Sequence, residues 1–119
     1  MTTRLLLQLL LAASDLTGYP VPEVMPHVAI VAPEVMPCAC KGAYEGGTLW
    51  VSGDLDLAKP FARSVLLHEL VHHLQEQAAG APQGQTMRVR FEREAVEAQN
   101  RYLALQGSGQ RAAVAVRDE

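Results

Sequence analysis

A chain of 119 residues, 49% apolar and 19% charged, is long enough for one domain with a modest core and too short for two, and its composition is that of a folded protein. Its formal net charge is -3, with ten basic residues spread along the sequence, so the basic footprint of a nucleic-acid binder is missing and no nucleic-acid partner is expected. The N-terminal MTTRLLLQLLLAAS has the outline of a signal peptide, a basic residue ahead of leucines with small residues after them. It also reads as a helix, because Arg4, Gln8 and Asp15 fall near one face while leucines cover the rest. A domain this small would lose a large share of its core if the segment were cleaved, so a retained helix over residues 1–16 is expected, stopped by Gly18, Pro20 and Pro22. The stretch is too short to cross a bilayer, and no membrane partner is expected. The reading leans towards a cytoplasmic protein, with the signal-like segment as the main argument against.

Residues 27–53 read as a sheet region. HVAIVA, bounded by Pro26 and Pro33, is β-branched and suits a short core strand. KGAY and TLWVS flank EGG, which reads as a hairpin whose glycines supply positive φ. Between these runs stand Cys38 and Cys40. A bridge between cysteines one residue apart closes almost no loop, and two thiolates are too few for a metal set, so free thiols are expected. Pro60 suits the first position of a helix over 60–79 that Gly80 ends, and Thr86 can cap another over 86–106 that Gly107 ends. Residues 107–119 form a tail, either frayed or carrying a short strand at AAVAV. The whole is expected to be a single α+β domain.

The chemistry concentrates in SVLLHELVHHLQ, where an apolar helical run carries three imidazoles and a carboxylate. Burying those groups without partners would cost several kcal/mol, of order ~2–7 each, so something must satisfy them. Residues four apart share a helix face, so His68 and His72 can present both rings to one metal ion. Glu69 is rotated about 100° from His68 and about 60° from His72, beside the metal without ligating it, where it can take a proton from a zinc-bound water. This is the HExxH arrangement, with zinc as the cofactor and Glu69 as general base. His73 lies about 100° beyond His72 and is expected to be a satisfied or solvent-facing histidine.

A third ligand is needed. Gln75 and Ala78 occupy the positions that the longer HExxHxxGxxH form would give to Gly and His, and Val71 stands where a thiolate-ligated HExDH site has Asp. That leaves a carboxylate of the last helix. Its apolar stripe reads as Met87, Phe91, Ala95, Ala98, Tyr102 and Leu105, which Glu94 borders, while Glu92 falls on the far side. Glu94 is therefore the expected ligand, with Glu97 as the runner-up. Glu97, among Arg93, Asn100 and Arg101, becomes a candidate for orienting a ligand imidazole from behind.

His68, Glu69, His72 and the Glu94–Ala95 pair resemble the gluzincins, zinc peptidases with HExxH on one helix and a Glu on the next. The order of sheet, LLHELVHHLQ helix, loop and EREAVEAQNRYL helix is similar to the single-domain minigluzincins, and to a small bacterial family with a comparable pair of motifs. The resemblance spans roughly residues 42–105. It implies a zincin-like α+β unit: a small twisted sheet built from the three strand runs, with GTLWVS as the edge strand above the active-site helix. It implies a zinc metallopeptidase acting on peptides or unfolded proteins, and it makes Tyr102, which otherwise reads as a core tyrosine, a candidate oxyanion stabiliser in place of the subdomain that larger relatives carry. The alternatives are a zinc-stabilised binding or regulatory domain that cleaves nothing, and a latent protease whose first helix or tail covers the cleft.

Overall fold

The computed structural model describes residues 1–113. The greater part of the AAVAV strand expected in the tail lies outside the described residues.

Helix α1, Thr3–Thr17, begins where the Thr2 hydroxyl accepts the Leu5 N–H at 3.1 Å, and ends where Gly18 turns to φ 82°. Its buried residues, Leu6, Leu9, Leu10 and Ala13, keep the i, i+3, i+4, i+7 spacing of an amphipathic helix. An extended link rich in proline leads to β1, His27–Val31. After one 3-10 turn at Pro33–Val35 come β2, Gly42–Glu45, and β3, Thr48–Ser52, joined by a turn in which Gly46 and Gly47 have φ 52° and 87°. Helix α2 is Pro60–Ala79, with proline in its first turn, and α3 is Gly84–Leu105. Thr86, expected to cap the last helix, lies inside its first turn, and the cap position belongs to Gln83 without a side-chain bond.

The strands are ordered β1-β3-β2, with β3 parallel to β1 and antiparallel to β2. The TLWVS run, expected at the edge, is therefore the central strand. Its Leu49 and Val51 are 0% and 2% exposed, so it is paired on both sides where the core is deepest. The edge strand that lies on α2 is β2. Gly42 makes this possible: a Cβ there would stand 3.1 Å from Val65 Cγ1 and 3.5 Å from Glu69 Cγ. Helix α2 is the centre of the molecule, packed against α1, α3 and the sheet. Leu66, Leu67, Leu70, Val71 and Leu74 are all at most 1% exposed, and each such side chain stabilises the fold by roughly 1.5–3 kcal/mol.

Cys38 and Cys40 are bonded to each other, not free. The loop that carries them brings their Cα atoms to 5.2 Å, within the span a disulfide can bridge, which sequence separation alone does not reveal. Among the described residues no helix is long and apolar enough to cross a membrane.

Candidate metal centre

His68 and His72 lie one turn apart on the face of α2 turned towards α3, with ring centroids 5.0 Å apart. Across from them stands Glu92. Its Oε1 is 2.9 Å from His68 Nε2 and its Oε2 is 3.2 Å from His72 Nε2. One ligand atom from each of the three residues lies within 4.8 Å of the others, the convergence a single metal ion needs. The side chains are 13%, 19% and 27% exposed, so the point they share is shielded but reachable from solvent.

The free ring nitrogens are fixed from behind by two glutamines. His68 Nδ1 is 2.9 Å from Gln99 Oε1, and His72 Nδ1 is 2.8 Å from Gln75 Oε1. The partners of each glutamine Nε2 favour this orientation of the amides. Gln75 Nε2 donates to the Phe91 carbonyl at 2.9 Å and to Glu94 Oε1 at 3.0 Å, and both partners only accept. Gln99 Nε2 donates to Ser64 Oγ at 3.1 Å, and that hydroxyl spends its own proton on the Phe61 carbonyl at 2.6 Å. With Oε1 facing each ring, Nδ1 must carry the hydrogen, so the Nε2 lone pair of each neutral imidazole points at the shared centre.

The donor chemistry fits a divalent transition metal. Two imidazoles and a carboxylate suit zinc better than magnesium or calcium, which take mostly oxygen. In the metal-free protein a Glu92 carboxylate bonded to both Nε2 atoms implies protons there. A divalent ion would replace two such protons without changing the charge of the site. Burial works to lower His68 and His72, but the hydrogen bonds they donate to Glu92 and the nearby charge of Glu69 carry both above the ordinary imidazole value. Burial works to raise Glu92, and the bonds to the two imidazoles outweigh it and hold its carboxyl well below the usual range.

Glu69 stands beside this set, its Oε2 3.9 Å from His68 Nε2 and its side chain 15% exposed. Burial pushes its carboxyl up, against the opposing influence of the two imidazoles.

The structure brings together His68, His72 and Glu69 as expected, but it puts Glu92 in the place assigned to Glu94. At about 100° per residue, Glu92 lies about 20° from Gln99 and inside the buried arc that runs from Ala98 to Val96, while Glu94 lies about 40° outside Ala98. Glu94 instead accepts from the Tyr19 hydroxyl at 2.6 Å and from Gln75, and burial with this carboxylate pushes the Tyr19 phenol up to about 12. Glu97 is on the exposed side of α3, lining a surface cleft with Arg101, and the orienting role expected of it belongs to Gln75 and Gln99. Tyr102 is 8% exposed in the core, its hydroxyl accepting from Arg63 Nε at 3.2 Å, so it serves as a core tyrosine and not at the metal centre. His73 is buried and satisfied. Its Nε2–H donates to the Val24 carbonyl at 2.7 Å, which leaves Nδ1 to accept from the Tyr44 hydroxyl at 2.8 Å. Sequence reasoning missed both glutamines. The signals were there: Gln75 follows His72 by three residues, and Gln99 follows Glu92 by seven, both helix-face spacings.

Comparison with known proteins finds no matching family model, curated protein or solved structure.

Proposed function

We propose that this chain is a zinc metallopeptidase of zincin type, with zinc held by His68, His72 and Glu92 and with Glu69 as the general base. The observation that carries the reading is the pairing of a preset N, N, O donor set with a carboxylate that stands next to it but outside it. Zinc bound there would polarise a scissile carbonyl and bring the pKa of a bound water towards ~7. Everything else falls to the chain's own residues. Gln75 and Gln99 keep the imidazoles in the tautomer that faces the ion. Glu69 takes a proton from the attacking water and hands it to the leaving amine, and its raised carboxyl suits a group that must both accept and release a proton. Among the described residues β2 pairs with β3 alone, so its outer edge is available to the main chain of an extended peptide. The substrate class is peptides or unfolded segments.

The rival reading is a zinc-stabilised binding domain, which would have no use for Glu69. Glu69→Gln keeps size and hydrogen-bonding capacity while removing the base. It should leave zinc content unchanged and lower cleavage of a mixed peptide library by ~10²–10⁴-fold. If wild type and variant both bind zinc and both leave every peptide and a denatured protein intact, the binding-domain reading replaces the enzyme.

A further inference from the structure

The Cys38–Cys40 bond takes no part in the metal centre, and its position raises a separate question. A disulfide stabilises a fold mainly by restricting the unfolded chain, and the effect shrinks with the loop it closes. Here only Ala39 lies between the two cysteines, so the bond restricts almost nothing. Both cysteines are half-buried on a surface loop and Ala39 is exposed, so an attacking thiol can reach them. The chain on each side is anchored without the bond. Met36 is 8% exposed and its N–H is bonded to the Pro33 carbonyl. The Lys41 carbonyl accepts the Ser52 N–H at 2.9 Å, the Lys41 ammonium pairs with Asp54, and Gly42 opens β2. Opening the bridge would therefore leave both cysteines tethered close to their present 5.2 Å Cα separation, ready to close again.

We propose that Cys38 and Cys40 are a thiol–disulfide exchange site whose partner is a small thiol or a dithiol protein. A partner thiolate attacks one sulfur, forming a mixed disulfide and releasing the other cysteine as thiolate. A second partner thiol then attacks the mixed disulfide, leaving two cysteine thiols on this chain and one disulfide on the partner. Two electrons and two protons pass from the partner thiols to the protein. A bond that lies on a surface loop, open to an attacking thiol, belongs with the exchangeable kind, in contrast to structural bridges sealed from solvent.

The test equilibrates the full chain, undenatured, in glutathione buffers of stepped reduced-to-oxidised ratio, followed by acid quench, alkylation and intact mass. The expected result is a reversible step from zero to two alkyl groups per chain inside the glutathione range, with circular dichroism and zinc content unchanged across it. Cys38→Ser should trap Cys40 as a mixed disulfide with glutathione. Doubly substituted Cys38→Ser/Cys40→Ser protein should fold as wild type does. A bond that opens only in denaturant, two thiols that never close in oxidised buffer, or a double variant that fails to fold would each overturn the proposal. None of these readouts involves hydrolysis, so the outcome is separate from that of the peptidase reading.

Discussion

In the proposed zinc site, Gln99 and Gln75 hold the rings of two histidines that share one helix face. An imidazole on a helix can rotate and can carry its proton on either nitrogen. Each glutamine removes that freedom, because a backbone carbonyl, reached directly or through Ser64, fixes which way its amide faces. Gln99→Leu keeps the volume roughly constant while removing the acceptor for His68 Nδ1. It should lower zinc affinity by ~10–100-fold with the helical signal intact, read by competition against a chromogenic chelator. An unchanged affinity would mean that the glutamine is only packing. Glu94→Gln should be much milder, since both the Tyr19 hydroxyl and the Gln75 amide bond to a single oxygen of Glu94 that an amide carbonyl can replace.

At the scale of elements, the site depends on how α3 is rotated and how closely β2 approaches α2. The approach is testable through Gly42, whose missing Cβ would sit 3.1 Å from Val65 Cγ1. Gly42→Ala should destabilise the fold by ~1–3 kcal/mol in urea titration, and Val65→Ala in the same chain should recover part of that loss, because the clash is with a branched side chain on a packed helix. Additive effects would show that the contact is not the cause. The α2 face was legible in the sequence, since His at i and i+4 with Glu between them restricts the register to one helical face. The rotation of α3 was not. Met87 and Leu105 pull an apolar stripe towards Glu94, yet Leu105 is 74% exposed, and Val96 and Leu103, buried at 6% and 0%, mark the true centre nearer Glu92. Which apolar residues at a helix end find cover depends on neighbouring chain, and that is not written in the helix itself. The three strands were legible by composition, but their order was not. Nothing local to TLWVS says that β1 will pair with it in parallel across a longer connection.

For the whole molecule, the proposed zinc site sets protons against metal, and the sign of the pH dependence follows. His68 and His72 hold their protons above the ordinary 6.5, so they stabilise the metal-free fold below that pH, and the contribution is lost as pH rises through the raised values. Glu69, raised above 4.5, acts in the same sense. Glu92, depressed, contributes above 4.5 and loses that only as pH falls through its lowered value. The metal-free protein should therefore be most stable in mild acid and weaken towards pH 8, while zinc, which needs both Nε2 atoms free of protons, stabilises more as pH rises. The zinc-induced gain in Tm should widen between about pH 5.5 and pH 8. A gain that is constant or shrinks over that window would place the metal elsewhere. The most direct measurement is the zinc stoichiometry of purified, zinc-reconstituted wild type beside His68→Ala, His72→Ala, Glu92→Ala and Glu94→Gln. One zinc per chain in wild type and Glu94→Gln, with severe loss in the other three, is the predicted result. No stoichiometric zinc in wild type, or zinc kept by Glu92→Ala and lost by Glu94→Gln, would contradict it.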